Sequence, residues 1–170
     1  MPEIKDVSLT EETLREIRSV DMSAYGYARD LGWYLERYHP WHSAFAAVDG
    51  GRIVGYLAAF PIQKALYDAL VSGVLVDDAG ISSNMFLKDS EYIYVCSIAI
   101  EPAYRDHTIS RRMVEMLLEK YRGKKLCLIT VTGKGRRLAA CYFEHRLRVT
   151  ESVDVFVGHR SGEWMKNISE

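Results

Sequence analysis

At 170 residues, 48% hydrophobic and 26% charged, the chain has the size and composition of one globular domain, spanning 1–170, with a core of its own. A net charge of -1 excludes a global draw toward nucleic acid or anionic membrane and leaves only local basic patches. Cys96, Cys127 and Cys141, an odd set in apolar or helical sequence, read as buried, reduced thiols and not a disulfide frame; no signal-peptide core or membrane-length apolar run is present, so the expectation is a cytoplasmic protein.

"EIKDVSL" reads as a first strand. Thr10 then caps a helix through "EETLREIRSV", with Thr13 in the capping-box position and Glu11 and Glu12 at the positive helix start. Residues 22–38 continue as helix until His39-Pro40 breaks it. The apolar runs "SAFAAVD" and "RIVGYLAAF", joined by Gly50-Gly51, predict a hairpin. "IQKALYDALVSG" predicts a short helix ending at Gly73, followed by a polar loop, "VLVDDAGISSNMFLKDS".

Tyr92 to Ile100 is apolar at nearly every position and predicts a strand covered on both faces. Ile109, Met113, Met116, Leu117 and Tyr121 fall at helical spacing, with Gly123 at the C-cap position. "KLCLITV" predicts a further buried strand, "RRLAACYFEHRL" a helix and "ESVDVFVGH" a last strand. This order implies an α/β (α+β) fold: a mixed central sheet flanked by helices, with a parallel crossover in its second half.

The stretch "YIYVCSIAIEPAYRDHTISRRM" runs from strand through a polar turn into a helix. N–H groups in the first helical turn have no intrahelical partner, and the helix dipole favours an anion there, a pyrophosphate above all. Arg105, Arg111, Arg112 and His107 add positive charge, and read equally well as a solvated helix face.

"SIAIEPAYRDHTIS" resembles the signature of the GNAT superfamily, the acyl-CoA-dependent N-acyltransferases: an apolar strand, a P-x-x-R/Q turn, then x-x-G-x-G/A at a helix start. Strand, Pro102, Tyr104, Arg105 and helix start match in order, and the element order agrees over about residues 1–160. The resemblance implies direct acyl transfer from an acyl-CoA, acetyl-CoA in the first instance, to a primary amine in a ternary complex. It implies cofactor contacts at Ile98, Ala99, Ile100, Arg105, Asp106, His107, Thr108, Ile109 and Ser110. Backbone N–H groups around Ile98 to Ile100 would hold the oxyanion.

Thr108 and Ser110 stand where the family has small residues, usually glycine and then glycine or alanine. If the need is a left-handed dihedral, Thr108 costs about 1–2 kcal/mol, roughly tenfold in affinity. Alternatively its methyl group occludes the phosphate, or its hydroxyl donates to it. The expectation is weakened but surviving binding.

In the family's later N-x-x-A-x-x-x-Y-E-K-x-G-F helix, Ala139 and Glu144 match, Arg136 takes the Asn position and Phe143 the Tyr position, while Leu147 and Arg148 replace Gly-Phe. Arg136 is thereby a candidate for a CoA phosphate. Tyr142, about 100° away around the helix, is either a substitute acid for the thiolate or a packed aromatic. Tyr92 takes the position of the family's glutamate base, with Glu91 beside it as the candidate base.

An aromatic set comprising Tyr25, Tyr27, Trp33, Tyr34, Tyr38, Trp41, Phe60 and Tyr67 either packs the core or lines an acceptor slot, with Asp77 or Asp78 attracting an amine. "TGKGRR" lacks the full phosphate-loop pattern, and His39 and His42 lack further ligands, so no metal is expected. The expected partner is a small-molecule or peptide amine; no membrane or nucleic-acid partner is expected, and a homodimer is left open. Two rivals remain: a non-catalytic sensing or scaffold module of the same fold, and an acyltransferase that takes its acyl group from an acyl carrier protein.

Overall fold

The computed structural model describes residues 1–38, 42–77, 80–105 and 107–158. His39, Pro40, Trp41, Asp78 and Asp106 lie outside the described residues, as does the side chain of His107. The elements are β1 (Glu3–Ser8), α1 (Glu11–Tyr25), α2 (Leu31–Arg37), β2 (Ser43–Asp49), β3 (Arg52–Ile62) and α3 (Lys64–Val71). Then follow β4 (Tyr92–Ile100), α4 (His107–Lys120), β5 (Lys125–Thr130), α5 (Gly133–Tyr142), β6 (Glu144–Arg148) and β7 (Asp154–Val157).

The strands form one mixed sheet in the order β1-β2-β3-β4-β5-β7-β6. Among the described residues only β4 and β5 pair in parallel, joined through α4 as the strand–helix–strand pattern predicts. Gly50 and Gly51, at φ 56° and 83°, make the tight β2–β3 turn with both central residues left-handed, a conformation that favours glycine. One apolar layer, including Leu14, Ile17, Tyr34, Tyr56 and Phe60, lies under α1, α2 and α3. The other, including Leu57, Ile93, Met113, Leu117 and Phe156, lies under α4 and α5.

Three expectations are corrected. Of the three thiols, Cys127 is buried, Cys96 half-buried and Cys141 exposed on α5. The helix over 22–38 is interrupted: Gly26, left-handed at φ 78°, ends α1 by donating to Met22 O, and Asp30 starts α2 by accepting from Trp33 N at 3.0 Å. The helix through "RRLAACYFEHRL" stops at Tyr142, because Phe143 turns extended and 144–148 pairs with β7 as an edge strand. Its charged, exposed residues suit a sheet edge, yet give no alternating signal. Thr10 caps α1 as expected, accepting from Thr13 N at 3.2 Å.

Candidate active site

β4 pairs with β5 only from Tyr92↔Lys125 to Val95↔Leu128, although β4 runs on to Ile100 and β5 to Thr130. Beyond Val95 the two parallel strands therefore diverge and open a crevice at the carboxyl end of β4, where ligands of parallel sheets commonly sit. A bulge marks the start of this divergence. Val95 pairs with Ala59 and Ser97 with Ala58, so Cys96 is the extra residue. The bulge shifts the alternation and turns Ser97 and Ala99 toward α1.

Glu101 N donates to Val54 O on β3. Backbone groups alternate sides along a strand, so Ile98 and Ile100 direct theirs to the edge that β5 has left. Both carbonyls on that edge are capped by side chains. Tyr25 Oη, from the last turn of α1, donates to Ile98 O at 2.6 Å. Arg105 Nε donates to Ile100 O at 3.2 Å while its Nη2 donates to Ala24 O at 2.7 Å. Arg105 thus ties the end of β4 to the end of α1, and its guanidinium serves backbone carbonyls. Arg105→Ala and Arg105→Lys are both expected to lower Tm by about 2–4 °C, the loss of roughly 1 kcal/mol of partly exposed hydrogen bonding. Full rescue by lysine would show that charge alone matters at this position.

α4 starts directly after the turn. Thr108 is exposed within its first turn, and no described non-glycine residue has positive φ, so Thr108 bears no left-handed strain. Ile109 is buried against the sheet and Ser110 half-buried. Arg111 Nε meets Glu115 Oε1 at 3.1 Å. The helix start therefore presents its N–H groups and two hydroxyl-bearing side chains, with the Arg105 and Arg111 guanidinium groups engaged by the protein itself. A phosphate suits such a helix start.

Beneath α1 and α2 lies a polar cluster that no motif announced. Asp21, buried on the apolar face of α1, accepts from Tyr34 Oη at 2.5 Å and from Tyr56 Oη at 2.7 Å. Tyr56 Oη also lies 3.0 Å from Ser97 Oγ on β4. Burial pushes the Asp21 carboxyl up from its ordinary range, against the opposing effect of the two tyrosine hydrogen bonds. The sequence does hold a signal for Asp21: it follows Leu14 and Ile17 at helical spacing, where a further apolar residue belongs.

The expected proton carriers are separated. Glu91 lies just before β4, at the end where β4 and β5 still pair, with Lys125 Nζ at 3.5 Å. A hydrogen bond from Tyr92, with the charges of Lys125 and Lys124, holds Glu91 below the usual carboxylate range. Tyr142 is buried between α5 and α4. Burial, then the charge of Glu115, pushes its phenol up to about 12. Phe143 is buried in the same layer.

Arg136 Nε contacts Asp154 Oδ2 at 2.5 Å, an ionic contact rather than a well-directed hydrogen bond, and its Nη2 donates to Glu151 O at 3.1 Å. It clamps α5 to β7. Of the aromatic set, Tyr34, Tyr38 and Phe60 are core, whereas Tyr25 and Tyr27 are exposed with ring centroids 6.3 Å apart. "TGKGRR" forms the start of α5, capped by Thr132. Among the described residues there is no cluster of metal-binding side chains, and no helix is long and apolar enough to cross a membrane.

The family model described as Acetyltransferase (GNAT) family matches residues 9–146. Similar folds include the ribosomal-protein-S18-alanine N-acetyltransferase from Escherichia coli, at 12% identity and TM-score 0.61, covering 95% of this chain and 97% of that one. Arabidopsis thaliana NAA60, solved in complex with acetyl-CoA, gives 12% identity and TM-score 0.61, with 94% and 100% covered. The loading GNATL domain of CurA from Lyngbya majuscula gives 14% identity and TM-score 0.57, with 79% and 68% covered. No curated protein sequence matches the chain.

Proposed function

The chain belongs to the acetyltransferase (GNAT) family, and we infer that it transfers an acetyl group from acetyl-CoA directly to a primary amine. The observation that carries this reading is the divergence of β4 from β5 after Val95, placed beside the start of α4. One continuous crevice then offers a strand edge for the acyl-bearing arm and a helix start for the pyrophosphate.

In this reading the N–H groups of Ile98 and Ile100, on the free side of β4, receive the thioester oxygen and the arm behind it; Ala99 holds the strand to β3. The first-turn N–H groups of α4, with the Thr108 and Ser110 hydroxyls, receive phosphate, and Ile109 anchors that turn in the core. Arg105 positions the turn through Ile100 O and Ala24 O, as Arg136 positions α5 through Asp154. The thioester supplies an already activated acyl group, so the chain's main task is to hold the amine near the carbonyl. Tyr142, protonated throughout the neutral range, is the proton donor for the departing sulfur. Glu91, ion-paired at the closed end of β4, takes no part. The exposed Tyr25–Tyr27 pair frames the acceptor's entry.

Thermal unfolding with acetyl-CoA tests the reading. Ligand at about 100 times its Kd adds roughly 2.7 kcal/mol, which raises Tm by about 5–10 °C for a domain of this size. CoA-thiol release on adding an amine should follow. No shift at millimolar acetyl-CoA would overturn CoA dependence and turn attention to acyl carrier proteins. A shift without turnover on any amine would mark a sensing or scaffold module.

A further inference from the structure

We propose that Asp21, Tyr56 and Ser97 form a proton relay that receives the proton given up by the acceptor amine at the free edge of β4. The proposal rests on the transferase reading and names a part of its chemistry that the family motif leaves vacant here, since Tyr92 holds the motif's acidic position.

The relay is continuous on the α1 side of the sheet. Ser97, half-buried, is the first residue after the β4 bulge and next to Ile98, whose backbone faces the crevice. Its Oγ lies 3.0 Å from Tyr56 Oη, which donates to Asp21 Oδ1 at 2.7 Å. Asp21 Oδ2 is held by Tyr34 Oη at 2.5 Å, so the carboxylate is fixed at both oxygens. Tyr25, one turn after Asp21 on α1, closes the outer end: it is 46% exposed and its hydroxyl caps Ile98 O. Because Tyr25 and Tyr56 are phenols pushed upward, to about 12 for Tyr25 and well above the ordinary value for Tyr56, neither ionises near neutrality. Each hydroxyl can pass a proton on while keeping its own, and a carboxylate is the sink.

The charged and titratable groups facing this sink are few. On α2 it is Tyr34 and at the C-cap of α2 Tyr38, both buried; on β3, Tyr56; on α1, Tyr25. Arg18 lies near Tyr34, and Arg37 and Cys96 near Tyr38, while Arg105 lies near Tyr25. No lysine or arginine pairs with Asp21 directly in the described contacts. Its carboxyl is therefore set by burial, which raises it, against the two hydroxyl donors, which hold it down.

The balance is simple. The amine reaches the site as an ammonium; one proton passes through Ser97 and Tyr56 to Asp21. The freed nitrogen then bonds to the thioester carbonyl carbon and the carbon–sulfur bond breaks. The second proton lost by nitrogen is matched by the one that makes the CoA thiol. The net proton left on Asp21 returns to water after product leaves. A sink of this kind suits an amine of modest basicity, such as a peptide α-amine at about 7.7–8.0, better than a lysine side chain at about 10.4.

The test uses the full chain with acetyl-CoA and a short alanine-terminated peptide as amine probe. In wild-type protein kcat/KM should show an acid limb; in Asp21→Asn that limb should vanish and the rate fall on the order of 100-fold. The acetyl-CoA-induced Tm shift should be unchanged. Tyr56→Phe, which leaves Asp21 in place, should slow turnover similarly and keeps the test open if Asp21→Asn unfolds. An unchanged acid limb in folded Asp21→Asn, or full activity in Tyr56→Phe, overturns the relay. Independently of turnover, ¹³C NMR of aspartate-labelled protein should show Asp21 titrating at higher pH than an ordinary aspartate. An Asp21 carboxyl that titrates at or below the ordinary aspartate position overturns the relay too. If the wild type binds acetyl-CoA yet acylates no amine, the transferase reading falls instead, and the titration alone decides whether Asp21 is such a sink.

Discussion

Phe60→Ala is expected to cost about 3–5 kcal/mol, the usual loss for a large aromatic removed from a tight core. Phe60 is fully buried on β3 and packs edge-on against Tyr38 at 5.0 Å, stacks on His42 at 4.5 Å and meets Phe86 at 5.4 Å. Those rings arrive from α2, from the chain entering β2 and from the loop before β4, so no single neighbour can collapse into the vacancy. The consequence reaches the site. Tyr38 stacks on Tyr34 at 5.8 Å, and Tyr34 holds Asp21. Loosening α2 should therefore release one side of the carboxylate as well as lower Tm by about 10 °C or more. Thermal unfolding checks the first effect, and turnover measured well below Tm checks the second. Phe60→Leu should lose less, because it leaves a smaller cavity. A Phe60→Ala variant within about 1 kcal/mol of wild type would show that the aromatic cluster does not anchor α2.

The second large effect is expected at Asp154 on β7, paired with Thr130 at the end of β5. Its carboxylate is fully buried on β7 and meets Arg136 Nε at 2.5 Å, His145 Nε2 at 2.8 Å and Arg148 Nε at 3.1 Å. Burial by itself would raise this carboxyl. The hydrogen bonds from His145 and Arg148 and the charges of Arg136 and Arg148 outweigh that and hold it below its ordinary value. A depressed folded-state pKa stabilises the protein above the unfolded value of about 3.9 and loses that contribution as pH falls through the folded one. Asp154→Ala should cost about 2–3 kcal/mol at neutral pH. This is less than breaking a wholly buried pair, since His145 and Arg148 are half-exposed and can turn to water. Acid unfolding followed by circular dichroism should show the variant less sensitive than wild type below about pH 4. Equal pH dependence in the two proteins would remove Asp154 from the acid transition.

Much of the fold is legible in the residues because its signals are local. The apolar run from Tyr92, the helical spacing of Ile109, Met113 and Leu117, and the paired glycines at 50 and 51 each specify a backbone geometry within a few residues. Edge strand 144–148 escaped that logic. Glu-His-Arg-Leu-Arg is extended because β7 lies beside it, and its side chains are mostly exposed, so no apolar alternation need be written. The kink at Gly26 was equally local but hidden inside a run of good helix formers, where a glycine can be either tolerated or terminal.

The candidate site divides in the same way. The strand–turn–helix from Tyr92 onward and the membership of the acetyltransferase (GNAT) family are determined by consecutive residues and are legible in them. What each charged or hydroxyl side chain does was decided only by tertiary structure. Arg105 lies 81 residues from the Ala24 carbonyl it holds, Tyr25 lies 73 from Ile98, and Tyr56 bridges Asp21 and Ser97 across 35 and 41 residues. Sequence spacing sets which face of an element a side chain leaves from. Which partner waits on that face depends on how helices and sheet pack, and for polar groups under a helix that partner settles which hydrogen bonds the group makes.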